Sequence, residues 1–172
     1  MTMPWATGLL TLLLAACTPE LDWREVRPAG TAVLALMPCK PASHARRVTL
    51  AGAEVEMTLH ACRAADATWA IAHADLADPA RVTSALDELA QAAQRNVGAA
   101  TATAQPSAVP GMTPNPSARR WRIEGRLADG RAVVETVVLF AHGTRVVQAS
   151  VIAERADAAA PATFVESLRV KP

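Results

Sequence analysis

Residues 54–98 read EVEMTLHACRAADATWAIAHADLADPARVTSALDELAQAAQRNVG, and the hydrophobic period changes partway along them. From Glu54 to Cys62 the pattern alternates. Val55, Met57, Leu59 and Ala61 fall on one face, and Glu54, Glu56, Thr58 and His60 on the other. A period of two marks a strand with two unlike faces. The polar turn near Ala65-Asp66 predicts that Thr68 to Leu76 returns as its hairpin partner. Then Asp78-Pro79 supplies a helix start, with Asp as the N-cap and Pro at the first helical position. Val82, Leu86, Leu89, Ala93 and Val97 follow at steps of four, three, four and four, which is one helical face. Gly98 is the stop.

Upstream of this stretch, Thr31 to Met37 (TAVLALM) is a continuous apolar run backed by Pro38. It is short for a helix and reads as a strand buried on both faces. Trp23 to Arg27 predicts a short first strand, broken by Pro28-Ala29-Gly30, and Arg46 to Ala51 predicts another, ended by Gly52. Downstream, Ala99 to Ser117 carries Pro106, Pro110, Pro114 and Pro116 and is expected to hold at most a short edge strand before an exposed loop. Arg119 to Ala128 and Arg131 to Ala141 flank Asp129-Gly130, a two-residue hairpin signal. Arg145 to Glu154 follows a second turn at His142-Gly143-Thr144. Asp157 to Leu168 closes the chain as a short helix with Phe164 and Leu168 on one face. Strands joined by tight turns, then one long helix, then strands and a short helix define an α+β fold: an antiparallel sheet of about six or seven strands covered by two helices.

Composition sets the outer bounds. The chain has 172 residues with Lys+Arg 17 against Asp+Glu 16, a net charge of +1 that excludes recognition of nucleic acid by bulk charge. With 51% hydrophobic and 19% charged residues it is not a disordered chain. At 3% aromatic residues and no Tyr, large anchors for a flat cofactor are scarce.

The amino terminus reads as an address. Leu9 to Ala16 (LLTLLLAA) extends about 12 Å as a helix, well short of a ~30 Å hydrocarbon core. That length suits the apolar region of a secretory signal. It ends in Leu14-Ala15-Ala16-Cys17, with small residues before the cut and a thiol at the first mature position. This resembles the bacterial lipoprotein lipobox at all four positions. The expected organisation is a leader over 1–16, a lipidated tether over 17–22 and one domain over 23–172, held at the cell envelope by acyl chains on Cys17 and facing the periplasm. A plain secreted protein with a chance cysteine is the alternative reading; the leader has no Lys or Arg before its apolar run. Cys39 and Cys62 remain. In an oxidising compartment two thiols are most simply a disulfide, and two free, buried thiols are the alternative.

The order of elements resembles the PsbP-like superfamily, which includes DcrB- and LpqN-type bacterial lipoproteins. The resemblance rests on Leu36-Met37-Pro38-Cys39-Lys40-Pro41 ending a strand, Val48-Thr49-Leu50, the alternating strand Val55 to Leu59, the Asp-Pro-headed helix, and the ending Phe164-Val165-Glu166-Ser167-Leu168-Arg169-Val170. It spans most of residues 23–170, and the Pro-rich segment 104–118 departs from it. It implies a non-catalytic binding or assembly module and does not name what is bound. Another envelope component is the expected partner; a structural spacer or accessory subunit without a ligand is the alternative reading, and an unrecognised metal-dependent or hydrolytic enzyme is the third.

Chemistry-bearing motifs are few. No serine stands in a GxSxG setting, and neither GxGxxG nor GxxxxGKT occurs, so no catalytic residue and no nucleotide cofactor is expected. There is no CxxC pair. Glu54/Glu56 and Asp87/Glu88 sit on polar faces. His60 and His73 face each other if the hairpin turns at Ala65-Asp66, and with Asp75 they make the one arrangement resembling a metal site, but without HxH or HExxH spacing; the expected reading is a polar strand face and no metal. Arg46-Arg47 is one local basic spot. Arg119, Arg120, Trp121 and Arg122 are the candidate contact for anionic lipid or a partner, set against a solvated strand face. Trp23 and Trp69 read as packing residues.

Overall fold

The computed structural model describes residues 21–154 and 159–171. The leader, Cys17, most of the tether and Asp157, the expected start of the last helix, lie outside the described residues. The fold is α+β, as the change of period predicts. Ten strands, β1 (Arg24–Val26), β2 (Val33–Met37), β3 (Ala42–Leu50), β4 (Ala53–Ala64), β5 (Ala67–Asp75), β6 (Ala99–Pro106), β7 (Arg119–Arg126), β8 (Ala132–His142), β9 (Arg145–Ala153) and β10 (Arg169–Val170), accompany two helices, α1 (Val82–Asn96) and α2 (Ala159–Ser167). The large sheet has seven strands in the order β3-β4-β5-β9-β8-β7-β6, each pairing antiparallel. Two meanders therefore meet at β5 and β9, and α1 makes the crossover between them.

The two faces of this sheet carry separate cores. On one face lies α1, which buries Val82, Ala85, Leu86, Leu89, Ala90 and Ala93 against Leu50, Val55, Ile123, Val137, Leu139 and Val146. Each of the two leucines contributes about 2 kcal/mol by leaving water. Asp78 caps as predicted, accepting from the Ala80 N–H, but the first turn, Pro79–Arg81, is a 3₁₀ turn. On the opposite face a small sheet, β1-β2-β10, and α2 form the other cover. Trp69 is its centre, 1% exposed. Trp23 and Phe164 meet its ring edge-on, both with centroids 5.7 Å away, and its indole N–H donates to the Ala64 carbonyl. Strand β8 feeds both cores by alternation: Val137, Leu139 and Ala141 point to one, Val138 and Phe140 to the other.

Cys39 and Cys62 form a disulfide, with Cα atoms 6.0 Å apart. It ties the chain leaving β2 to β4, and so links the small sheet to the large one. This settles the choice left open between a bridge and two free thiols.

Two expectations are corrected. Residues 99–117 hold more than a short edge strand, because β6 runs eight residues beside β7. Threonine at alternate positions, Thr101 and Thr103, tolerates an extended backbone, and Pro106 ends the strand where a missing N–H costs nothing to the ladder. The following loop is not wholly exposed: Val109 and Ala118 join the core around Trp69. The β7–β8 turn is also longer than two residues. Leu127 and Arg131 still pair through their backbones, and Gly130, at φ 86°, takes the left-handed position of a three-residue turn.

Candidate functional site

Strand register decides which polar groups meet. In the β4–β5 hairpin His60 stands opposite Ile71 and Thr58 opposite His73, so the two histidines are diagonal neighbours on the face away from α1. The turn centres on Ala65-Asp66 as expected, both with positive φ. The imidazoles stack, with centroids 5.5 Å apart and planes 15° apart, and their Nε2 atoms lie 3.4 Å from each other. They are buried, 5% and 9% exposed, which corrects the expected polar strand face. Ser43, opposite His60 on β3, bonds its Nδ1 at 2.6 Å. Burial lowers the pKa of His60. Burial first, then the charges of His60 and Arg145, lowers that of His73 to about 4. The pair is held neutral.

Asp75 does not join them. Its carboxylate accepts from the Thr144 hydroxyl at 2.7 Å, the Ala77 N–H at 3.0 Å and the Arg145 guanidinium at 3.0 Å. The Thr144 and Ala77 bonds hold its pKa low against the opposing effect of burial, and the charge of Arg145 adds a smaller lowering. Among the described residues no group of three or more His, Cys, Asp or Glu side chains is placed to hold a metal ion.

The face covered by α1 presents a more open feature. The sheet is wider than one helix can cover, and β3 and β4 project past it. Between them and α1 runs a groove of about 540 Å³. Met57, Leu59 and Ala72 form its floor, Val48 and Leu89 its apolar walls, and Arg46 and His44 its outer rim. Leu59, 38% exposed, is the one exposed large hydrophobic side chain among the described residues. Arg46 stands opposite Met57 and His44 opposite Leu59. Neither basic residue has an ion-pair or hydrogen-bond partner among the described residues. Glu88, at the far end, is engaged by the Ala51 N–H at 2.9 Å.

The predicted basic contact at 119–122 is divided by strand alternation. Arg119 and Trp121 point to the α1 side, where Trp121 packs half-buried against that core. Arg120 and Arg122 point to the other side. Arg122 pairs with Glu124 at 3.0 Å, and Arg120 lines a cleft of about 420 Å³ under α2 with Val109, Val138 and Leu168. The four residues do not form one patch. The groove at Leu59 escaped sequence reading because an alternating strand reveals which residues share a face, and the extent of the cover over that face is set by tertiary packing. One clue was available: the basic spot at Arg46-Arg47 lies in a strand that pairs with the apolar face of β4.

Comparison with protein-family models, curated proteins and solved structures found no match. No helix among the described residues is long and apolar enough to cross a membrane.

Proposed function

We propose that this chain is a lipid-anchored cell-envelope lipoprotein of PsbP-like type, acting as a non-catalytic binding module tethered through acyl chains on Cys17. The observation that carries the binding role is the groove between α1 and β3–β4: an apolar floor left open beside two basic side chains that have no partner among the described residues. Such a concave apolar site with a few polar groups at its rim is the usual form of a ligand site. The anchoring rests on Leu14-Ala15-Ala16-Cys17. The Cys39–Cys62 bridge agrees with an oxidising compartment. The histidine pair, buried on the other side of the sheet, points no general base at the groove.

Two measurements test this. Mass spectrometry of the protein from membranes is expected to show an amino-terminal peptide beginning at acylated Cys17; an unmodified terminus elsewhere overturns the anchor. Crosslinking in intact envelopes is expected to trap a reproducible partner or ligand that is lost in Leu59→Asp and retained in Arg47→Gln, whose side chain faces away from the groove. Crosslinks indifferent to Leu59 overturn the groove as the binding site.

A further inference from the structure

From the groove we infer a ligand class: a single-chain anionic amphiphile of the fatty-acid type, its carboxylate at Arg46 and His44 and its tail over Leu59, Met57 and Ala72. The inference rests on the binding reading above and deepens it. Three observations carry it.

The first is the distribution of charge. Arg46 and His44 are adjacent members of one strand face, two residues apart and both exposed. Neither side chain has an ion-pair partner among the described residues, so an anion at this rim meets no internal competitor there. The single carboxylate on the groove, Glu88, is anchored at Ala51. Ala51 lies in the turn that follows β3, at the opposite end of the strand from His44. Among the described residues Glu88 makes no ion pair with Arg46 or His44.

The second is shape. The floor crosses β3, β4, β5 and β9, ending at Gln148. Three strand spacings amount to roughly 14 Å, suited to one medium-length alkyl tail. The α1 wall offers Glu88, Leu89, Ala92 and Asn96, and the small Ala92 keeps the trough open along its middle. At about 540 Å³ the groove falls within the ~300–1,000 Å³ of small-molecule sites and admits one chain.

The third is the exposure of Leu59. Among the described residues Leu59 is the one exposed large apolar side chain, and it lies open beside the half-buried Met57, at the point where the basic rim meets the floor. An alkyl chain supplies the missing cover, and the guanidinium supplies a charge-assisted partner for the head.

The test uses dodecanoate below its micelle concentration and the chain from Thr18 onward, secreted so that the disulfide forms. Every residue of both cores lies within 21–170, so this chain keeps the whole fold. Calorimetry is expected to show saturable one-to-one binding. Octanoate is expected to bind at least tenfold more weakly, because each buried methylene contributes up to a factor of about four. Arg46→Gln is expected to weaken dodecanoate about tenfold or more, Leu59→Asp to abolish binding, and Arg47→Gln, one residue away on the opposite face, to leave it unchanged. Amide shifts in the unmodified chain are expected at Met57, Leu59, Ala72 and Ala92. Absence of saturable binding overturns the inference, as do affinity equal for uncharged dodecyl maltoside, equal sensitivity to Arg46→Gln and Arg47→Gln, or shifts confined to the Arg120 cleft. Failure here together with Leu59-dependent crosslinks in envelopes overturns the ligand class and leaves the groove a binding site for something else.

Discussion

Glu135→Gln removes a carboxylate from the layer between α1 and the sheet, and its effect depends on pH in a way that tests the account of this core. Glu135 is 3% exposed, stands on β8 between Ile123 and Ile152, and its Oε2 has no hydrogen-bond partner. Burial raises its pKa from 4.5 to about 7. In the window between those values the folded chain holds a proton that the unfolded chain has released, so stability falls as pH rises through it and levels off above about 7. At about 1.4 kcal/mol per tenfold change, the ionised form costs about 3 kcal/mol. The wild-type profile hides this. His73, lowered from 6.5 to about 4, contributes the opposite slope over nearly the same range: the unfolded chain takes up a proton that the buried ring refuses, so stability is lost as pH falls. With the residual solvent around the ring allowed for, that term is about 2 kcal/mol. The two groups lie on opposite faces of the sheet, so their effects are expected to add. Urea unfolding at pH 5 and pH 8.5 is the assay. Glu135→Gln is expected to be nearly neutral at pH 5 and stabilising by about 2–3 kcal/mol at pH 8.5, and to expose the rise of stability with pH that His73 imposes. A gain equal at both values would refute the reasoning, since it would place no ionisation cost at Glu135.

Other outcomes follow from the packing. Replacing both Cys39 and Cys62 by Ser releases a loop of sequence separation 23 and is expected to lower stability by about 3 kcal/mol on the chain-entropy model, read from unfolding curves with and without reductant. Phe164→Ala removes one of the two rings set edge-on to Trp69 and is expected to cost about 3–5 kcal/mol, with loss of the near-ultraviolet circular dichroism of the Trp cluster. Gly125→Ala places a Cβ 2.0 Å from the Val97 carbonyl oxygen, backbone against backbone where α1 ends on β7; a loss of about 3 kcal/mol or more is expected in thermal unfolding. A variant as stable as wild type would mean that α1 ends elsewhere.

Much of the fold was legible because local rules and tertiary demands agreed. The alternation over Glu54 to Cys62 and the stripe from Val82 to Val97 each name a buried face, and both faces meet in one core. What was illegible lay where no local rule decides. β6, AATATAQP, has small and polar residues on both faces and all eight are exposed; its strand state comes from the ladder offered by β7. The split of ten strands into a large and a small sheet was likewise hidden, since β2 has the same continuous apolar run whether it lies inside a sheet or packs across one.

The histidines and the groove show the same limit from opposite sides. Spacing around Ala65-Asp66 correctly brought His60 and His73 together, because a hairpin turn fixes register by counting. Counting does not reveal solvent. The rings are buried on the face away from α1, which disfavours their charged form, while Leu59, one residue from His60 on the opposite face, keeps its exposure. A strand declares its two faces in its sequence; elements packed on it from elsewhere in the chain decide which is covered. Here α1 is one helix over seven strands, and a single helix about 10 Å wide spans roughly two of the ~4.8 Å strand spacings. Some of that face must stay open, and the open part lies beside Arg46 and His44, which is where the proposed anionic ligand would sit.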